Sequence, residues 1–173
     1  MIVLGIDPGT ANTGYGVVKG DGLGVGLVSL VECGVIRTRP RDPLPVRLNE
    51  IFEGVAELIA RHRPDALSVE DVFYAKNVRT TVVLGHARGV VLLAGQQAGV
   101  EIHEIPPAEI KKAVVGTGAA TKEQVQFMLT RLLKLKSVPQ PSDAADGVAA
   151  ALACLMHART PTLSSVRVRS ART

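Results

Sequence analysis

With 173 residues, 46% of them apolar, and only two cysteines far apart in sequence, Cys33 and Cys154, the chain is long enough to bury one core. It offers no disulfide framework and no zinc-ligand spacing. The net charge of +4 is weak ground for a nucleic-acid partner, because setting aside Arg167, Arg169 and Arg172 of the last stretch leaves 17 of the 20 basic residues against 16 acidic ones. No apolar run reaches the ~20 residues that a membrane span needs, and Asp7 interrupts the first one at once, so neither a membrane nor a secretion signal is expected, and a cytoplasmic setting is.

In chain order, IVLGI, TGYGVVKG and LVSLVECGVI read as three strands joined by short glycine-containing turns, which favours antiparallel pairing. From Leu44 to His62 the period changes: Leu48, Ile51, Phe52, Val55, Leu58 and Ile59 recur at helical spacing, and Pro64 closes the segment. DALSVE is a short buried strand, VFYAKN a loop, and RTTVVLGHARGVVLLAGQQAG a long helix apolar over much of its circumference. GVEIHEIP follows as a strand, PPAEIKKAVV as a helix opened by proline, and Thr121 with Gln124 as a capping box before another amphipathic helix. Ser142 is expected to cap the last helix, DAADGVAAALACLMHA. The order predicts one α/β domain over 1–158, a sheet layered by helices, and a basic, disordered tail over 159–173.

Gly9 and Gly14 have the G-x-x-x-x-G spacing of a phosphate loop, but Tyr15 and Gly16 stand where lysine and a hydroxyl residue belong. A hairpin whose glycines allow positive φ and close backbone approach is the simpler reading. Asp7 ends an apolar strand, where a lone carboxylate costs several kcal/mol unless compensated; it is either a turn residue bonded to nearby N–H groups or a ligand. Glu70 ends a second apolar strand, and because strand neighbours point to opposite faces, Glu70 rather than Asp71 is expected to share a cleft with Asp7. Asp143 and Asp146, at i and i+3, project from one side of a helix start; they either complement its dipole or form part of a site. Four such acids converging stay ionised together only around a bound cation, and all-oxygen ligation suits magnesium or manganese. Two such ions would serve phosphodiester hydrolysis.

Between Asp71 and Glu101 the chain has no acid but carries Lys76, Arg79 and Arg88, which predicts a local positive field. Phe73 and Tyr74, in a chain with few aromatics, lie beside Lys76, Asn77 and Arg79, as a base-stacking platform would; anchoring of the loop is the alternative. Thr10 and Asn12 are candidates for touching a DNA phosphate. Gly85 and Gly89, with Ala87, Ala94 and Gly95, would permit close helix packing, against the molecule's own sheet or another copy.

GIDPGTANTGYGVV, VEDVFYAKN, LGHARGV, KKAVVGTGAATKEQVQ, LLKL and SDAADGVAAAL together resemble, in order and spacing, the RuvC family of Holliday-junction resolvases. The resemblance covers residues 1–157. It implies a ribonuclease H-like fold with a mixed five-stranded sheet, an antiparallel meander plus parallel strands, flanked by helices. It also implies a homodimer and symmetric paired nicks in four-way junction DNA that leave ligatable ends. It makes Asp7, Glu70, Asp143 and Asp146 the catalytic metal ligands for magnesium, two ions per subunit with manganese able to substitute. Lys111 and Lys122 become basic residues near the scissile phosphate, with Lys112 as an adjacent alternative to Lys111, and Phe73 a wedge at the junction centre. The RuvA and RuvB branch-migration proteins are the implied partners, and the dimer seam is implied at Gly85 and Gly89. An opening Gly-Ile-Asp-x-Gly strand also occurs in sugar-kinase and actin-like phosphotransferases, but those need two such domains. RNA-processing YqgF-like nucleases share the fold.

Overall fold

In a computed structural model that describes residues 1–20, 28–71 and 78–158, the first three strands form the expected meander: β1 (Ile2–Asp7), β2 (Asn12–Gly20) and β3 (Val28–Arg37). The few residues between successive strands favour this antiparallel pairing. The helix α1 (Leu44–His62) then carries the chain across, so that β4 (Ala66–Glu70) joins β1 in parallel, and α2 (Val78–Gln97) does the same for β5 (Glu101–Ile105) beside β4. The sheet order is β3-β2-β1-β4-β5. The helices α3 (Pro107–Val115), α4 (Lys122–Leu132) and α5 (Ser142–His157) complete the described residues, and the stretch expected as a tail lies outside them.

Strand alternation splits the core. Leu4, Ile6, Val17, Leu67 and Val69 point to one face and pack with Ile51, Val55 and Leu58 of α1 and Ala87, Val91 and Ala94 of α2. Val3, Val18 and Ala66 point to the other and pack under α3, α4 and the alanine-rich α5. On that second face the strands carry almost no side chain where α5 crosses. A Cβ on Gly14 would fall on the Asp143 carbonyl, one on Gly5 on the Gly147 carbonyl, and one on Gly16 within 2.5 Å of Val148 Cα. Backbone therefore lies against backbone, and Ser68 Oγ, completely buried, donates to the Ala150 carbonyl at 2.9 Å to tie β4 to the same helix.

Several expected details are corrected. The glycines of the β1–β2 hairpin are needed for close approach and not for positive φ, which among the described glycines occurs only at Gly99 and Gly116. Thr121 and Gln124 do form a capping box, but Ser142 is the first residue of α5 and not its cap; Pro141 precedes the helix, and Ser142 Oγ accepts from Gln126 Nε2 at 3.4 Å. In β3, Val17 pairs with Glu32 and Val18 with Leu30, so Val31 is an unpaired bulge residue, half exposed on the sheet edge.

Candidate active site

The acids converge because of the alternation just described. Val3, Gly5 and Asp7 share a face of β1, Ala66, Ser68 and Glu70 share the same face of β4, and the parallel register Ile6↔Val69 brings the two strand ends side by side. The glycine bed seats the first turns of α5 directly above them. Carboxylate oxygens of Asp7, Asp143 and Asp146 consequently lie within 4.8 Å of one another. Glu70 is not part of this tight triad. It lines the same cleft of about 310 Å³ with Asp7, Lys111, Lys122, Asp146 and the apolar Ile110, Val125 and Ala149.

The hairpin next to Asp7 holds itself together without that carboxylate. Thr13 Oγ1 donates to the Gly9 carbonyl at 2.6 Å, and Thr38 Oγ1 donates to the carbonyl of Thr10. This leaves the Asp7 carboxylate to line the cleft. Burial, with the neighbouring Asp146 and Asp143 charges adding, raises the Asp7 pKa to about 7 despite Lys122. Burial followed by the charges of Asp7 and Asp146 raises Glu70 to about 8, against Lys122 and Lys111. Burial also raises Asp146, although Lys122 Nζ donates to its Oδ2 at 2.6 Å. For Lys122 burial acts downward, but the hydrogen bond and charge of Asp146 outweigh it and leave the ammonium harder to deprotonate.

A cluster whose charged form is this disfavoured is short of positive charge, and one ammonium does not supply enough. The donor set is all carboxylate oxygen, which fits a hard divalent cation such as magnesium or manganese and not a soft one. The residues present therefore fit the metal that the sequence implies.

Of the paired lysines, Lys111 reaches the cleft, while Lys112 is exposed and is not among the lining residues. The buried Ile110 and Val114 fix the rotation of α3 and so decide between the two. Thr10 is half-buried in the hairpin loop and Asn12 exposed at its exit, both at the Asp7 end of the sheet. Arg79 is exposed in the first turn of α2. Phe73, Tyr74, Lys76 and Asn77 lie outside the described residues.

Of the cations expected to make a positive field around α2, Arg88 is neutralised. Arg88 Nη2 bonds Asp71 Oδ1 at 3.0 Å and also pairs with Glu104, so its charge is taken up. This pair also agrees with the strand alternation, since Asp71 turns towards α2 while Glu70 faces the cleft. On α2 itself, Ala87, Ala94 and Gly95 pack inward, but a Cβ on Gly85 or Gly89 would meet nothing within 4 Å; with the exposed Val78, Val82 and Leu93 they form an outward face. A second group of cations, Arg37, Arg39, Arg41 and Arg47, was not singled out by the sequence. Four arginines with one acid between positions 37 and 47 were the available signal.

Comparison with known proteins bears on the same residues. The family model for crossover junction endodeoxyribonuclease RuvC matches residues 3–154. The protein of that name from Pelotomaculum thermopropionicum is 46% identical over 157 residues, which cover 91% of this chain and 93% of that protein. A structure of Thermus thermophilus RuvC superposes with a TM-score of 0.85 at 38% identity, covering 92% of this chain and 96% of the other. A second structure, of T. thermophilus RuvC in complex with Holliday junction substrate, superposes with a TM-score of 0.85 at 35% identity, covering 94% and 98%.

Proposed function

Because the chain belongs to the RuvC family of crossover junction endodeoxyribonucleases, we propose that the cleft between β1, β4 and α5 hydrolyses phosphodiester bonds of four-way DNA junctions, in recombination and repair. The observation that carries this reading is the approach of three carboxylates within 4.8 Å beside Lys122, with Glu70 on the wall of the same cleft.

Asp7, Asp143, Asp146 and Glu70 would hold magnesium, two ions per subunit, with manganese able to substitute. Bound there, the metal supplies Lewis acidity and lowers the pKa of a water that attacks phosphorus. The chain's own residues do the rest. Lys111 and Lys122 offset negative charge as it builds on the phosphoryl oxygens, an effect of the kind that is worth more in a partly buried cleft than in water. Ile110, Val125 and Ala149 supply the apolar wall that keeps the cleft partly dry. Thr10 and Asn12 contact a neighbouring phosphate, Arg79 and the stretch containing Phe73, Tyr74, Lys76 and Asn77 contact the junction centre, and Phe73 acts there as a wedge.

Two nicks placed symmetrically require two copies. The outward face of α2, where Val78, Val82, Gly85, Gly89 and Leu93 lie uncovered, is the proposed homodimer seam. A cytoplasmic setting and partnership with RuvA and RuvB are proposed on family membership.

Incubating the protein with magnesium and a mobile four-way junction, a plain duplex and an RNA duplex tests the reading. Symmetric, ligatable nicks confined to the junction are expected. Asp7→Asn is expected to abolish cutting while leaving junction binding largely intact; wild-type cutting by that variant overturns the assignment.

A further inference from the structure

β3 lies at the opposite edge of the sheet from β5 and α2, yet its end belongs to the active-site side. β1 and β3 both run antiparallel to β2, so Asp7 and Arg37 finish at the same end of the sheet. Residues paired across strands share a face, and the ladder runs Asp7↔Gly14↔Val35, with Arg37 paired to Asn12 two residues further on. Arg37 therefore projects on the face that carries Asp7. Two inter-strand spacings of ~4.8 Å and two residue rises of ~3.4 Å put its backbone about 12 Å from that of Asp7.

The segment that follows is clamped. Thr38, only 7% exposed, donates its N–H to the Ala11 carbonyl at 3.0 Å and its hydroxyl to the Thr10 carbonyl, and Arg47 Nε of α1 donates to Thr38 Oγ1 at 2.9 Å. The residues on either side of this anchor face outward: Arg37, Arg39 and Arg41 are exposed, and among the described residues no hydrogen bond or ion pair of their side chains competes for their charge. Asp42 is the only acid between 37 and 47, and its N–H closes a turn onto the Arg39 carbonyl at 3.0 Å. Three cations are thus held at the end of β3 and on the pinned loop after it, in contrast to Arg88, whose charge is neutralised.

We propose that Arg37, Arg39 and Arg41 form a second phosphate-binding track, which grips the backbone of the duplex arm beyond the cut, on the side away from the junction centre. The inference rests on the junction-nuclease reading above. The strand order supports the direction: from the α2 face the sheet passes through Glu70 and Asp7 before it reaches the arginines. A reach of about 12 Å corresponds to three or four base pairs at ~3.4 Å each, so the track meets phosphates that the cleft does not touch. Such interactions carry charge and no sequence information.

The test uses the full chain carrying Asp7→Asn, so that junctions stay uncut, and measures junction affinity against salt concentration. Adding Arg37→Gln, Arg39→Gln and Arg41→Gln is expected to make the slope of log affinity against log salt shallower by about 0.9 for each phosphate no longer neutralised by an arginine, equally for junctions of different core sequence. The corresponding lysine triple variant keeps the charge and is expected to keep the slope. Neutral methylphosphonate linkages three to six nucleotides beyond the cut should lower the slope of the parent protein to that of the glutamine variant and leave the variant itself unchanged. A glutamine variant with the parent's slope, or effects of variant and neutral linkage that simply add, overturns the proposal. Failure of the wild-type chain to cut any four-way junction is a different result and strikes the underlying reading instead.

Discussion

At the residue scale, the raised pKa values of Asp7, about 7, and Glu70, about 8, make the metal-free protein pH-sensitive in a defined direction. Both groups hold a proton more tightly folded than at their ordinary values of 3.8 and 4.5. Their contribution to stability is therefore fully present below about pH 4 and is lost as pH rises through about 7 to 8. Melting of the metal-free chain is expected at lower temperature at pH 8.5 than at pH 5, magnesium should restore it at pH 8.5, and Asp7→Asn should flatten the difference. A melting temperature that rises with pH without metal would contradict the burial of these acids. The neighbouring lysines allow a sharper comparison. Lys111→Met should slow cutting by roughly 10²-fold, the scale for a group that stabilises transition-state charge, whereas Lys112→Met, one position round the helix, should change the rate little. Much of this site was legible in the sequence. Asp7 and Glu70 each stop an apolar run, and strand alternation alone separated Glu70 from Asp71. The choice of Lys111 over Lys112 was not legible, because it depends on how Ile110 and Val114 turn α3 against the core.

At the scale of elements, the position of α5 over β1 and β2 decides whether the acids meet. Gly14→Ala would drive a methyl group into the Asp143 carbonyl, backbone against backbone, so neither side yields easily. Overpacking of this kind typically costs ~1–3 kcal/mol, occasionally more, and here any relief moves Asp143 away from Asp7. A lower melting temperature together with weaker magnesium binding is expected, measured by thermal melting and metal titration. Gly85→Ala is the contrasting case: nothing lies within 4 Å, and alanine favours a helix over glycine by ~1 kcal/mol. It should leave the subunit at least as stable while weakening the pairing of copies, seen as dissociation at a higher concentration in sedimentation. The sequence marked Gly14 as special and offered two reasons, positive φ and close backbone approach, of which the second holds; what it did not show is which element approaches. The helix that needs the space comes some 130 residues later, and no local pattern names the partner of such an approach. The same distance hid the partners of Arg88, since Asp71 and Glu104 meet it only once β4, α2 and β5 have assembled.

At the scale of the molecule, each functional part has its own border of one sheet. The proposed copy-to-copy seam is on α2 beside β5, the acids are at the middle strand ends, and the arginine loop follows β3. An edge strand of ten residues such as β3 is an open template of N–H and C=O groups on which another chain can add. Pairing of β3 with β3 of a second copy would be two-fold and closed, whereas pairing of β3 with the β5 edge of another copy would be head-to-tail and open-ended. The bulge at Val31 twists and interrupts the ladder along that edge. Its consequence is a division of surfaces: with the ladder on that edge interrupted, the proposed pairing of copies is left to the α2 face and the border beside the arginines to the proposed duplex arm.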